Sequence, residues 1–124
     1  MLSGGCVYLD ALILNPDRHY GNFGVLFDTD TMQVTKMAPV FDHNKSLFPE
    51  LDEDELAKPV LHCQSRLGLD FVSTARSLLT DDIRADLKNL LGLSFVQHPE
   101  FRLSDTRVNR LNEIVHSQIQ QILY

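Results

Sequence analysis

The C-terminal segment carries an apolar side chain at nearly every third or fourth position, and this pattern constrains the fold most. The spacing is that of one face of an α-helix. Ser104 or Asp105 can begin this helix, because a short side-chain oxygen accepts backbone N–H groups that the first turn leaves unpaired. The stripe needs other elements to cover it. It consists of Val108, Leu111, Val115, Ile119 and Ile122.

Two shorter helices are predicted upstream of this segment. Asp70 can cap the first of them, and Thr80 with the two aspartates after it can cap the second. Gly92 is the expected end of the second helix, since glycine tolerates the backbone geometry that closes a helix. The apolar positions are Phe71, Val72, Ala75, Leu78 and Leu79 in the first helix, and Ile83, Leu87, Leu90 and Leu91 in the second.

The N-terminal half mixes one helix with strands. Gly5 to Leu14 reads as a mostly buried helix that ends at Asn15-Pro16, because a residue before proline avoids helical geometry. Two strands, Phe23 to Phe27 and Met32 to Met37, flank turn residues and predict a β-hairpin. Ala38 to Pro59 predicts a long loop with room for one short helix. The acidic run within it, residues 50–55, is expected to face solvent. The fold class is therefore α+β, with helix dominating.

Composition indicates one soluble domain. The chain has 124 residues, of which 44% are hydrophobic and 23% charged. A net charge of -6 argues against a general nucleic-acid surface, which needs clustered Lys and Arg. Asp10 interrupts the N-terminal apolar stretch and no basic segment precedes it, so we expect a cytoplasmic protein without a secretory signal or membrane span. Cys6 and Cys63 are far apart and predict reduced thiols.

The loop after the first helix carries the residues that indicate chemistry. Asp17 and Asn22 stand at the D-x-x-x-x-N spacing of a kinase catalytic loop. In such loops the aspartate accepts the proton of the attacking hydroxyl and the asparagine oxygen binds magnesium. Phe41-Asp42 follows the hairpin and supplies a second carboxylate for a metal ion. Three such positions in the right order are harder to obtain by chance than one pair.

The segment Asp17 to Asn22 is similar to the DRHxxN loop of atypical kinases, which include HipA-like protein kinases and phosphoinositide kinases. Ala38 to Asp42, followed by Lys45 to Leu47, resembles the HipA-like group in particular. The resemblance is strongest from Leu9 to Leu47. It implies that the chain, residues 1–124, is a single kinase-like C-terminal lobe with one hairpin between the catalytic loop and the metal-binding loop.

The resemblance also implies roles for individual residues. Asp17 would be the catalytic base, and His19 would join it in the catalytic loop as an organising residue. Asn22 and Asp42 would bind the magnesium ions and, through them, ATP. Arg18 would pair with a carboxylate or a phosphate. Mg²⁺ and ATP are the implied cofactors, a protein with Ser or Thr is the implied substrate, and a small DNA-binding antitoxin is a possible partner.

Two departures favour an atypical kinase over a conventional one. Asn15-Pro16 stands where protein kinases carry His-Arg, and Asp42 is followed by His43-Asn44 where they carry Phe-Gly. The ATP-binding lobe is also missing from the 124 residues, because no lysine occurs before Lys36 and Gly4-Gly5 has no preceding strand. We therefore expect little activity from the chain alone, and either a separate ATP-lobe polypeptide or self-association through the uncovered surface.

Two other functions stay open at this point. A lipid or small-molecule kinase would use the same DRHxxN loop, although no basic membrane-facing patch is present. A degenerate binding or regulatory module would keep the fold of the lobe and catalyse nothing. A glycine-rich strand pair with a lysine in the upstream reading frame would favour an enzyme.

Overall fold

The computed structural model describes residues 4–124 and has the predicted α+β architecture. Within these residues no helix is long and apolar enough to cross a membrane. The helices are α1 (Gly4–Ile13), α2 (Glu53–Leu56), α3 (Phe71–Ser77), α4 (Asp81–Asn89) and α5 (Asp105–Leu123). Two 3₁₀ turns cover Tyr20–Asn22 and Leu90–Gly92, and the strands are β1 (Val25–Phe27) and β2 (Val34–Met37).

Helix α5 is the centre of the molecule. The C-terminal part of its predicted stripe packs against α1, α3 and α4, and Leu111 with Ile114 packs against the long loop and α2. Val108 is only half-buried, so the stripe is covered less well at its start. The main core consists of Tyr8, Ala11, Leu12, Ala75, Leu87, Val115, Ile119, Ile122 and Leu123. This core fixes α1, and α1 in turn presents the loop that carries the kinase-like residues.

The predicted caps are confirmed at three helices. The side chains of Asp70, Thr80 and Ser104 accept hydrogen bonds from the backbone N–H three residues later, at 2.7, 3.3 and 3.1 Å. Helix α1 ends one residue earlier than predicted, because Leu14 has a left-handed backbone with φ of 48°. The chain turns there, and the Asn15 N–H donates to the Asp10 carbonyl at 3.1 Å.

The hairpin forms as predicted, and neither of its faces is buried. All seven strand residues are exposed, and β1 begins at Val25 instead of Phe23. The strands pair antiparallel, with Val25 opposite Met37 and a bulge after Leu26. Asp28 fixes the turn by accepting two backbone N–H groups. The apolar strand residues lie outside both core clusters, so the hairpin presents uncovered apolar surface.

The long loop contains the expected short helix, and two arginines of α5 hold it in place. Arg107 donates to the carbonyls of Phe48 and Leu51, both at 2.8 Å. Arg110 donates to the Leu56 carbonyl at 2.9 Å and also to that of Lys58. The acidic run is solvated as expected, but it also begins α2, because the side chains of Asp52 and Glu55 form a capping box.

Candidate functional site

A buried ion pair organises the loop that follows α1. Arg18 donates two hydrogen bonds to the Asp10 carboxylate, from Nε to Oδ2 at 2.8 Å and from Nη2 to Oδ1 at 2.9 Å. Both residues are buried, with 3% of Arg18 and 6% of Asp10 exposed. Asn15 is fully buried and donates its amide to Asp10 Oδ1 at 3.1 Å. A carboxylate taken out of water needs such partners, because an unpaired buried charge is strongly unfavourable.

The other edge of the Arg18 guanidinium joins the two predicted metal-binding segments. Its Nη1 donates to the Asn22 carbonyl at 3.2 Å and to the Phe41 carbonyl at 2.9 Å. Its Nη2 lies 3.3 Å from His43 Nδ1. The hydrogen bond to Asp10 raises the pKa of Arg18, so the guanidinium stays charged. One side chain therefore connects α1, the catalytic loop and the loop that begins at Phe41.

Asp17, the residue before Arg18, is more exposed than the buried ion pair, with 32% of its side chain accessible to solvent. Its Oδ1 accepts a hydrogen bond from Arg66 Nη1 at 2.9 Å. This bond is the main cause that lowers the pKa of Asp17, and the charges of Arg66, His19 and Lys45 add to it against partial desolvation. A lowered pKa keeps the carboxylate ionised at neutral pH. An ionised carboxylate can orient a hydroxyl and accept its proton, as a kinase catalytic aspartate does.

Asn22 and Asp42 are the predicted metal ligands, and Asn22 contacts Asp17. Asn22 is buried, and its amide nitrogen donates to the Asp17 carbonyl at 3.1 Å. With the nitrogen used in this way, Oδ1 is the atom that can face a cation. Asp42 is exposed and has a left-handed backbone, with φ of 63°, in the residue after the carbonyl that Arg18 holds. An amide and a carboxylate suit Mg²⁺, which prefers oxygen ligands.

The described residues contain no preformed metal cage. Between residues 4 and 124, no three or more His, Cys, Asp or Glu side chains gather as a metal-binding group. Kinase magnesium sites do not require one, because Mg²⁺ is usually held by one or two protein groups together with substrate phosphates and water. The residues Asn22 and Asp42 fit that kind of site. Their role as ligands stays a prediction.

His19 organises the predicted catalytic loop by a side-chain contact to its backbone. Its Nδ1 accepts the Gly21 N–H at 3.1 Å and so begins the 3₁₀ turn Tyr20–Asn22. A Cβ at position 21 would lie 2.9 Å from the His19 ring, which explains why glycine suits this position. These contacts agree with an organising residue. Direct participation of His19 in catalysis is an untested prediction.

Hydrogen bonds connect the segments that carry the predicted residues, and two further residues, Asp10 and Arg66, form ion pairs with these segments. Asp17 and Asn22 are hydrogen-bonded to each other, and Arg18 joins Asn22 to the Phe41-Asp42 segment. Sequence reasoning gave no role to Asp10 or Arg66. A single acid inside an apolar helix was a usable signal for Asp10, because a buried carboxylate requires a cation. No local pattern marked Arg66, whose partner is 49 residues away.

The loop with the D-x-x-x-x-N spacing, the hairpin and the carboxylate after it are the features from which the sequence predicts a kinase-like protein. Among curated proteins, the chain is similar to the serine/threonine-protein kinase CtkA of Helicobacter pylori, with 34% identity over 73 residues. The match covers 59% of this chain and 22% of that kinase, so the chain spans well under half the length of the relative. No family model and no solved structure matches. The similarity supports a kinase-like relationship for this chain.

Proposed function

We propose that the chain is the C-terminal catalytic lobe of a HipA-like protein kinase that transfers the γ-phosphate of ATP to Ser or Thr. The main support for this proposal is the pair of hydrogen bonds that the Arg18 guanidinium donates to two backbone carbonyls. The guanidinium binds the carbonyls of Asn22 and Phe41 at the same nitrogen, so the catalytic loop and the Asp42 segment meet at one place. The similarity to a curated kinase named for serine and threonine favours a protein acceptor over a lipid.

In the proposed reaction, the oxygen of the acceptor hydroxyl attacks the γ-phosphorus of ATP. The bond from that phosphorus to the β-phosphate oxygen breaks, and ADP leaves. Asp17 orients the hydroxyl and takes its proton, which later passes to solvent. Asn22 and Asp42 would hold Mg²⁺, which would neutralise charge on the phosphates. A carboxylate with a lowered pKa suits this reaction, because proton transfer is not the main barrier when the transition state is loose.

The proposal requires an ATP-binding lobe carried by other residues. A kinase holds ATP with a glycine-rich loop and a strand lysine that precede the catalytic loop, and the first lysine here is Lys36. The exposed hairpin supports such a partner, since Phe27 is 51% and Val34 64% exposed. Covering these apolar side chains with a second lobe would be favourable. A small DNA-binding antitoxin is a further proposed partner, from the HipA-like resemblance alone.

Mn²⁺ in place of Mg²⁺ is expected to bind the isolated chain at Asn22 and Asp42. In NMR spectra of the ¹⁵N-labelled chain, the Asn22 side-chain amide and the Asp42 backbone amide should broaden at the lowest Mn²⁺ concentrations, because a paramagnetic ion relaxes nearby nuclei. Asp42→Asn should remove most of this broadening, since it deletes the carboxylate at nearly unchanged size.

Asp30→Asn is the matched control, because Asp30 is an exposed acid in the hairpin turn away from the cluster. Its spectrum should broaden as the parent does. Broadening confined to the acidic residues 50–55 would contradict the proposed metal site and leave a non-catalytic binding module as the better account of the fold.

A further inference from the structure

The segment between α2 and α3 is attached to the catalytic loop by its backbone. The Arg66 N–H donates to the Pro16 carbonyl at 2.8 Å, and Cys63 Sγ contacts the Leu14 carbonyl at 3.5 Å. Ser65 is buried, and it closes a tight turn by accepting the Leu67 and Gly68 N–H groups. Gly68 has a φ of 69°, a left-handed backbone that a side chain would strain. The position of Arg66 is therefore set by backbone contacts on both sides of it.

The Arg66 side chain extends from this fixed turn to Asp17. An exposed ion pair on two freely moving side chains would hold neither partner well. Here Arg66 makes two hydrogen bonds to consecutive residues. Its backbone N–H donates to the Pro16 carbonyl, and its Nη1 donates to Asp17 Oδ1. The Asp17 backbone is also held, because its N–H donates to Asn15 Oδ1 at 3.2 Å. Hydrogen bonds therefore hold the backbones of both Arg66 and Asp17 in place.

The pair lies in a shallow cleft that is open to solvent. The cleft has a volume of about 310 Å³. It combines cationic, acidic and amide side chains around the predicted base, and no apolar side chain except proline lines it. The lining residues are Pro16, Asp17, Lys45, Glu50, Gln64 and Arg66.

We propose that Arg66 is a positioning residue that holds the Asp17 carboxylate for the acceptor hydroxyl, an inference that rests on the proposed kinase function. Arg66 engages Oδ1, which leaves Oδ2 to receive the hydroxyl proton. The carboxylate then has one orientation when the acceptor arrives. Such pre-orientation speeds a reaction because a small misplacement of a reacting group lowers the rate steeply. Arg66 contacts neither ATP nor the reacting phosphorus in this proposal.

Two measurements test the proposal. Three-bond NMR couplings from the Asp17 Cγ to its backbone nitrogen and carbonyl carbon report the side-chain rotamer in the 124-residue chain. We expect one rotamer in the parent and an averaged one in Arg66→Gln. In the protein supplied with its ATP-binding lobe, Arg66→Gln should lower kcat by about tenfold to a hundredfold with KM for ATP nearly unchanged. Arg66→Lys should recover part of the loss, since it keeps the charge.

Arg102→Gln is the control, because Arg102 lies in an exposed loop before α5. It should match the parent in both measurements. A single unchanged Asp17 rotamer in Arg66→Gln would overturn the positioning role, and so would a mobile Asp17 with undiminished kcat. If the parent itself transfers no phosphate, the kinase proposal fails. The couplings then still decide whether Arg66 orients Asp17.

Discussion

Asp17→Asn is expected to lower phosphoryl transfer about a hundredfold or more in the protein that includes its ATP-binding lobe, as the loss of a general base does. The substitution removes the proposed proton acceptor at nearly unchanged side-chain size. Asp42→Asn should cause a loss of similar order, because it removes the carboxylate proposed to bind the metal ion. The measurement is transfer of labelled phosphate from ATP at saturating Mg²⁺.

The Asp17 variant should fold normally. Its side chain makes a half-exposed contact with Arg66, while the buried contacts of this residue use its backbone N–H and carbonyl. Thermal melting checks this expectation. Asp30→Asn, which exchanges the same groups in the hairpin turn, should keep the activity of the parent. Parental activity in the Asp17 and Asp42 variants would leave a non-catalytic module as the function of this fold.

Asp10→Asn is expected to destabilise the protein by about 3–5 kcal/mol, the usual result of removing one partner from a buried ion pair. The substitution leaves the Arg18 charge buried without a carboxylate, with two backbone carbonyls and His43 Nδ1 as its other hydrogen-bond partners. Domains of this size are stable by only about 5–15 kcal/mol, so most of the margin can disappear. The midpoint of urea unfolding should fall by more than about 1 M.

The same experiment on Asp30→Asn should leave the midpoint unchanged, because Asp30 is exposed. An Asp10→Asn midpoint equal to that of the parent would contradict the buried pair as the structure shows it. The comparison also separates the two aspartates near the catalytic loop. We expect loss of Asp10 to lower the stability of the fold, and loss of Asp17 to lower the rate of the proposed phosphoryl transfer while the fold is kept.

The helices and their starts were predictable because their signals are local. Asp70, Thr80 and Ser104 cap helices within three residues of themselves, and the stripe of α5 repeats along one element. The hairpin was also predictable from its turn residues. Its exposure was not, because alternation along a strand shows that two faces differ and does not show what covers either one.

The candidate site was predictable in its residue types and less so in its connections. The spacing of Asp17 and Asn22 indicated a catalytic loop, and the structure adds the hydrogen bond that joins them. The ion pairs of Asp10 with Arg18 and of Asp17 with Arg66 depend on how α1 and the later loop pack against each other. A local sequence pattern therefore could not predict them. Asp42 has a left-handed backbone and comes directly after Phe41, whose carbonyl accepts a hydrogen bond from Arg18, 23 residues away in the sequence.

Reconstitution tests most directly whether this chain is the catalytic lobe of a kinase. The upstream reading frame is the first place to look for a polypeptide with a glycine-rich loop and a strand lysine. Mixed with that polypeptide and Mg²⁺-ATP, the chain should transfer labelled phosphate to Ser or Thr of a protein, while either part alone should be nearly inactive, because ATP is poorly positioned without both. Strong ATP turnover by the 124-residue chain alone, or no transfer by the mixture, would contradict the proposal.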